Sequence, residues 1–262
     1  FFIHQGNDYF ITPLIYSGKF EMISAKNYHN KYYKFLEKTS IFKDIDTNDL
    51  VDFLETIKIK QYRKGEMVTF DSQEHAKCYI VFDGLFKLTR VDERGDEIVI
   101  ALVDKKDIVS PMHYSKHYDI CAEFVKNTTL IYFNKDEIER FTEKSHQFST
   151  NIITYLAGNV QKLMVNAEVL QLKSAKEKVG WYLVHSKINN TFRLPYSKSL
   201  IASYLGIKPE SFSRALILLK EEGISLANKT INLESGDELC KYCDKVTGSS
   251  CRSFESEGCA HA

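Results

Sequence analysis

Near Asn134 the hydrophobic period of the chain changes from two to between three and four. That change divides it into a strand-built half and a helix-built half. Before it, from Ile57 to Phe133, short apolar runs are punctuated by turn residues. Lys58–Tyr62 and Met67–Phe70 flank Arg63-Lys64-Gly65-Glu66, and Cys78–Phe82 meets Asp83-Gly84. Leu85–Val91 runs into Asp92-Glu93-Arg94-Gly95, and Thr128–Phe133 closes the series. In Glu97–Val103 the residues Ile98, Ile100 and Leu102 alternate onto one face. Short strands joined by Asp-Gly and Arg-Gly turns predict an antiparallel barrel or sandwich. Two short helices are expected ahead of it, at Lys31–Lys38 and Thr47–Thr56, with Asp46 or Thr47 as cap of the second.

After the change, Lys135 to about Leu172 reads as one long helix. Ile153, Leu156, Val160, Leu163, Ala167 and Leu170 follow one another in alternating steps of three and four. That is the spacing of a seam for a second helix, and a homodimer is the expected partner; the alternative buries the stripe on the chain's own barrel. Ser174–Ile188 reads as a further helix carrying Trp181, the only tryptophan. Phe192–Pro195 follows as a short strand or link, then two helices, then a hairpin of Ile224–Leu226 and Thr230–Leu233 about Asn228-Lys229.

Those two helices have the spacing of a helix-turn-helix. The first spans about Ser197–Tyr204, with Leu200, Ile201 and Leu205 facing inward and small Ala202 at the crossing. Gly206 permits the positive φ of the tight turn, Ile207 plugs the angle, and Pro209 opens the second helix where its missing N–H costs nothing. Phe212, Ala215, Leu216 and Leu219 share one face, and Glu210, Ser213 and Arg214 share the other. A recognition helix touches base edges near its N-terminus. There Arg214 can fork onto guanine O6 and N7, Glu210 can accept from a cytosine amine, and Ser213 can reach a base or phosphate. Lys198, Ser199, Lys208 and Ser211 are placed for backbone contacts, which position without specifying.

Charge agrees with that reading once it is resolved along the chain. The 35 Lys and Arg balance 35 Asp and Glu overall, but residues 172–236 carry ten Lys or Arg against five Glu. A basic module beside a more acidic remainder suits a protein that both binds and releases DNA. With 262 residues there is room for two modest cores. No apolar run has the length to cross a bilayer, and Phe1-Phe2-Ile3-His4 lacks the cationic start of a secretory signal. A cytoplasmic protein without a membrane partner is expected. Met22 offers a second start, which would make Phe1–Glu21 an upstream segment.

Cys240, Cys243, Cys251 and Cys259 stand at spacing C-x2-C-x7-C-x7-C just beyond the hairpin. In a reducing compartment such thiols are more often ligands than disulfides. Four thiolates in so short a tail suit either an iron–sulfur cluster or zinc, with a thiol–disulfide switch as a third reading. Only Cys240-Cys243 forms the paired knuckle usual for zinc, which favours a cluster. His113, His117 and Cys121, at intervals of four, are a weaker candidate set, and His261 could replace a tail cysteine. Cys78 and Cys121 read as core strand residues, and His185 has no evident partner. No nucleophile elbow or phosphate-binding glycine loop is present, so an enzyme is not expected.

From Phe35 to Gly236 the chain resembles the family of the cyclic-AMP receptor protein and the fumarate-nitrate reductase regulator (CRP/FNR). The resemblance rests on Ile41-Phe42, Tyr62-Arg63-Lys64-Gly65-Glu66, Val81-Phe82-Asp83-Gly84, Asp92-Glu93-Arg94-Gly95-Asp96-Glu97 and, most specifically, the run from Ile201 to Arg214. It implies an α+β chain: an N-terminal antiparallel β-roll of the cupin-like, cyclic-nucleotide-binding-like kind, a long dimerisation helix and a C-terminal winged helix-turn-helix. On that pattern residues 1–34 are an extension, 35–134 the roll, 135–172 the dimer helix, 173–236 the DNA-binding domain and 237–262 a metal-binding tail. Glu210, Ser213 and Arg214 match the motif of the oxygen-sensing branch, which implies a palindrome with TTGAT-like half-sites, and RNA polymerase as a further partner.

Two departures from the family pattern matter. The stretch Val109–Phe124 carries Ser110-Pro111-Met112-His113 and no arginine, and none occurs between Arg94 and Arg140. Without a guanidinium fork for phosphate, cyclic-nucleotide sensing is not expected. The second departure is that no cysteine precedes Cys78, whereas the best-known oxygen sensor of the family holds its [4Fe-4S] cluster mostly through N-terminal cysteines. A smaller branch places them after the DNA-binding domain, as here. The expected function is a redox-sensing regulator whose tail cluster, when bound, orders residues 237–259 against the DNA-binding domain or the dimer helix. The alternative regulator senses a small ligand in its roll and holds zinc or nothing in the tail. A third reading is a metal-binding assembly protein that does not read DNA.

Overall fold

The computed structural model describes residues 8–9, 30–69, 77–93, 95–110, 120–186, 191–194, 196–234 and 238–244. The chain forms two compact units, residues 1–157 and 158–262, and one long helix runs from the first into the second.

Among the described residues the first unit has nine strands: β1 (Asp8–Tyr9), β2 (Lys58–Tyr62), β3 (Met67–Thr69), β4 (Lys77–Asp83), β5 (Phe86–Val91), β6 (Glu97–Val103), β7 (Ile108–Val109), β8 (Cys121–Phe124) and β9 (Thr128–Asn134). They pair antiparallel in two sheets, ordered β1-β2-β9-β4-β7 and β3-β8-β5-β6. Helix α1 (residues 30–36) and helix α2 (Thr47–Leu54) precede β2. The Asp46 carboxylate caps α2 by accepting the Asn48 N–H at 2.8 Å.

Strands β4 and β9 are almost continuously apolar because each of their faces meets a separate core. Cys78, Ile80, Ile131 and Phe133 face a cluster with Leu36, Phe42, Phe53, Phe141 and Phe148. Tyr79, Val81, Leu130 and Tyr132 face the interior of the roll, with Tyr62, Phe86 and Phe124. There Tyr62 stacks on Phe124 with centroids 4.0 Å apart. The turn after β4 crosses the start of β9 so closely that a Cβ on Gly84 (φ +112°) would lie 2.4 Å from Thr128 Oγ1.

One sequence expectation is corrected and two are filled in. Within residues 1–34, Asp8 and Tyr9 pair with Lys60 and Ile59, and Tyr32 is buried in the first core. On β6 Ile98 and Ile100 share an exposed face, as their alternation predicts, while Leu102 is half-buried and Val99 and Val103 are buried. The helix expected over 135–172 is two helices, α3 (Lys135–Lys144) and α4 (His146–Leu172). Ser145 breaks it: its backbone is extended and its hydroxyl accepts the Phe148 N–H, starting a new helix.

Helix α4 presents two faces. Phe148, Ile152 and Tyr155 pack on the first core, and Asn151 donates to the carbonyls of Ile41 and Lys43 at 3.2 and 2.7 Å. Ile153, Leu156, Val160, Leu163 and Leu170 are 40–67 % exposed, and Ala167 is exposed with them. The chain's own roll therefore covers a different face from the seam.

The second unit contains α5 (Ala175–Ser186), β10 (Thr191–Arg193), α6 (Lys198–Tyr204), α7 (Pro209–Lys220), β11 (Ile224–Ala227) and β12 (Thr230–Leu233). Its sheet runs β10-β12-β11. Asn228 and Lys229 turn the β11–β12 hairpin, both at positive φ, which fits the right-handed strand twist. Cys240–Tyr242 then form one turn of 3-10 helix.

Candidate functional site

Helix α6 begins where the Ser197 hydroxyl accepts the Leu200 N–H at 3.2 Å. Ile201, Ala202 and Leu205 are buried, Gly206 adopts φ +62°, and the Ile207 N–H closes the turn on the Ala202 carbonyl. Pro209 opens α7, which buries Phe212, Ala215 and Leu219. Leu200, Ile207 and Leu216 are only half-buried. On the other side of α7, Glu210, Ser213 and Arg214 are exposed together, and Ser211 is half-buried. Lys198, Ser199 and Lys208 are exposed. Among the described residues neither Arg214 nor Lys198 nor Lys208 enters an ion pair, while Lys173, Lys176 and Lys241 of the same unit all do. Uncommitted cations near an exposed helix N-terminus are what a phosphate backbone and a guanine edge require. The exposed Ile217 and Leu218 on α7 were not anticipated.

The first two tail cysteines are attached to this same unit. Cys240 and Cys243 bracket the 3-10 turn, both half-buried, and the Cys243 N–H donates to the Cys240 carbonyl at 3.0 Å. Between them, Lys241 Nζ and the Tyr242 hydroxyl both reach the Glu222 carboxylate at 2.5 Å. Lys176 of α5 reaches it from another side at 2.8 Å. Hydrogen bonds from Lys176, Lys241 and Tyr242 pull the Glu222 carboxyl down to about 2. Burial and the Glu222 acceptor raise the Tyr242 hydroxyl above the usual range. The Tyr242 ring lies on Gly180 in mid-α5, where a Cβ would fall 2.4 Å from Tyr242 Cγ. Beyond Cys243, the Trp181 indole N–H donates to Asp244 at 3.0 Å. His185, which the sequence left without a partner, packs against Trp181 with the rings tilted by 48° and lies 3.8 Å from the Asp244 carboxylate. A cleft of about 560 Å³ opens beside this contact, lined by Val165, Lys173, Trp181, Tyr242, Cys243 and Asp244 among others.

Cys251, Cys259 and His261 lie outside the described residues, as do His113 and His117. Among the described residues no three His, Cys, Asp or Glu side chains converge on one point. Two sulfurs one turn apart fit half of a tetrathiolate set, for a cluster or for zinc. Cys78 is a different kind of thiol. Burial pushes it up to about 12, against a hydrogen bond with Ser110 that lowers it, so it is a protonated core residue. Cys121 is half-buried on β8, its thiol also raised by burial.

Sequence reasoning missed Glu222, Lys241, Tyr242 and Asp244. One signal was available, since a glycine in mid-helix at position 180 marks either a cost or a close approach.

Residues 59–145 match the model of the cyclic nucleotide-binding domain, and residues 170–242 that of the Crp-like helix-turn-helix domain. The nitrogen fixation regulation protein FixK of Bradyrhizobium diazoefficiens is 24 % identical over 72 % of this chain and 82 % of its own length. The fumarate and nitrate reduction regulatory protein of Escherichia coli is 20 % identical over 70 % of this chain and 77 % of its own. The solved structure of FixK2 from Bradyrhizobium japonicum aligns over 72 % of this chain and 98 % of its own, with a TM-score of 0.63 at 20 % identity. A sensor-type roll and a winged helix-turn-helix joined by a long helix define a DNA-binding transcription regulator, not an enzyme. The chain belongs to the CRP/FNR family.

Proposed function

We propose that this regulator works as a homodimer in the cytoplasm and senses redox state through a C-terminal iron–sulfur cluster. Cys240, Cys243, Cys251 and Cys259 would hold the cluster, which supplies a centre that oxygen or nitric oxide dismantles. The observation that carries this reading is the attachment of the Cys240–Cys243 turn to α5 and to the end of α7. A ligand that orders those sulfurs acts next to the helix that reads DNA. Glu210, Ser213 and Arg214 read base edges in a palindrome with TTGAT-like arms, and Lys198, Ser199, Lys208 and Ser211 hold the backbone. The seam from Ile153 to Leu170 pairs with its copy, matching the two-fold symmetry of such a site, and RNA polymerase is the partner downstream.

The alternative puts the signal in the roll and zinc or nothing in the tail. Tyr62, Tyr79, Phe86, Phe124 and Tyr132 fill the described roll interior with the chain's own side chains, which favours the tail.

Purification without oxygen, with iron, sulfide and zinc counted per chain, tests the cofactor. A brown protein bleached by air is expected, with operator affinity falling on bleaching. A colourless zinc protein, or equal affinities before and after air, overturns the reading.

A further inference from the structure

Glu222 lies between the last turn of α7 and Gly223, which adopts φ +84° and leads into β11. Its N–H is bonded to the Leu219 carbonyl at 3.1 Å. A force on this side chain is therefore applied to the end of the recognition helix and to the start of the wing. Two of the three groups that hold its carboxylate, Lys241 and Tyr242, belong to the tail. They are the two residues enclosed by Cys240 and Cys243, so whatever fixes the two sulfurs fixes the backbone that carries them.

A second observation is independent of that ion cluster. Gly180 stands in the middle of α5, where alanine would make the better helix. The missing side chain is used by the Tyr242 ring, which occupies the place a methyl would take. Trp181, the next residue, holds Asp244, so the chain is tied down on both sides of Cys243.

We propose that Gly180 and Glu222 form a docking site for the Lys241-Tyr242 dipeptide, and that operator affinity depends on this site being filled. Glu222 is thus a positioning residue: it touches no DNA, and it passes the state of the tail to Arg214 through α7. This deepens the redox reading, on which it rests for the signal that empties the site, but the dependence of DNA binding on docking holds whatever causes undocking.

The test uses the full-length protein with Gly180→Ala, which blocks the site from α5, and Tyr242→Ala, which removes the occupant. Because Trp181 is the only tryptophan, its emission reports docking directly. Both variants are expected to shift that emission to longer wavelength and open it to iodide quenching. Each should bind a TTGAT-armed palindrome at least fivefold more weakly, with helix content and iron per chain unchanged. The double variant should lose no more than the worse single one, since both remove one contact. Undocked variants that keep wild-type affinity overturn the proposal, as does strictly additive loss in the double variant. The redox reading is judged separately, by wild-type protein with and without its metal; equal affinities there sink that reading and leave the variant comparison standing.

Discussion

Arg214 and Lys198 are both exposed and both outside any ion pair among the described residues, yet they have different expected effects on binding. A guanidinium on the base-reading face gives a bidentate bond to guanine, so Arg214→Ala should cost about 1–3 kcal/mol and relax preference at that one base. Lys198→Ala should weaken all sequences alike and reduce the salt dependence of binding by about one counterion. Anisotropy titrations at several salt concentrations, on the TTGAT palindrome and single-base variants, separate the two. A uniform loss for Arg214→Ala would remove it from the base-reading set. The exposed face of α7 was legible because Pro209, Gly206 and the buried Phe212, Ala215 and Leu219 fix its phase. Glu222 was not legible, because nothing local distinguishes it from the neighbouring surface Glu221; its partners arrive from positions 176, 241 and 242.

At the scale of elements, α4 shows how one helix serves two surfaces. Phe148, Ile152 and Tyr155 are taken by the roll, and the seam of Leu156, Val160 and Leu163 is left over. Leu163→Glu places a carboxylate in that seam and should yield monomers by sedimentation at concentrations where the wild type is dimeric. Operator affinity should then drop by about a hundredfold or more, because two half-sites are no longer gripped together. A dimeric Leu163→Glu protein would move the interface elsewhere. The exposed apolar stripe was readable from its three-and-four spacing. The break at Ser145 was not, because helix formers stand on both sides and the interruption depends on a hydroxyl turning back to Phe148. The sense of the β6 alternation was equally hidden, since Ile98 and Ile100 are as apolar as the Val99 and Val103 that the sheet buries.

Across the whole molecule, pH should separate tail docking from the rest of the fold. The Glu222 carboxyl is depressed from its ordinary 4.5 to about 2, so its contribution to docking is complete above about 4.5 and disappears as pH falls towards 2. The Tyr242 hydroxyl, raised above its usual range, stays protonated throughout. Wild-type Trp181 emission should differ from the undocked Tyr242→Ala baseline above about pH 5 and merge with it between about 4.5 and 2. A wild-type curve lying on that baseline at pH 7 would mean that the carboxylate does not hold the tail. The division into roll, long helix and winged unit was legible as a change of hydrophobic period; attachment of the tail was not, because it joins residues far apart in the chain through a side-chain-free patch at Gly180. The two faces of α4 carry one last implication. Their angular offset is set by residue count alone, about 100° of rotation for each residue. A single residue inserted after Ala157 would swing Val160, Leu163 and Leu170 away from the azimuth of Leu156 while Phe148 stayed seated. Only changes in length close to a whole turn of about 3.6 residues keep the two faces in phase.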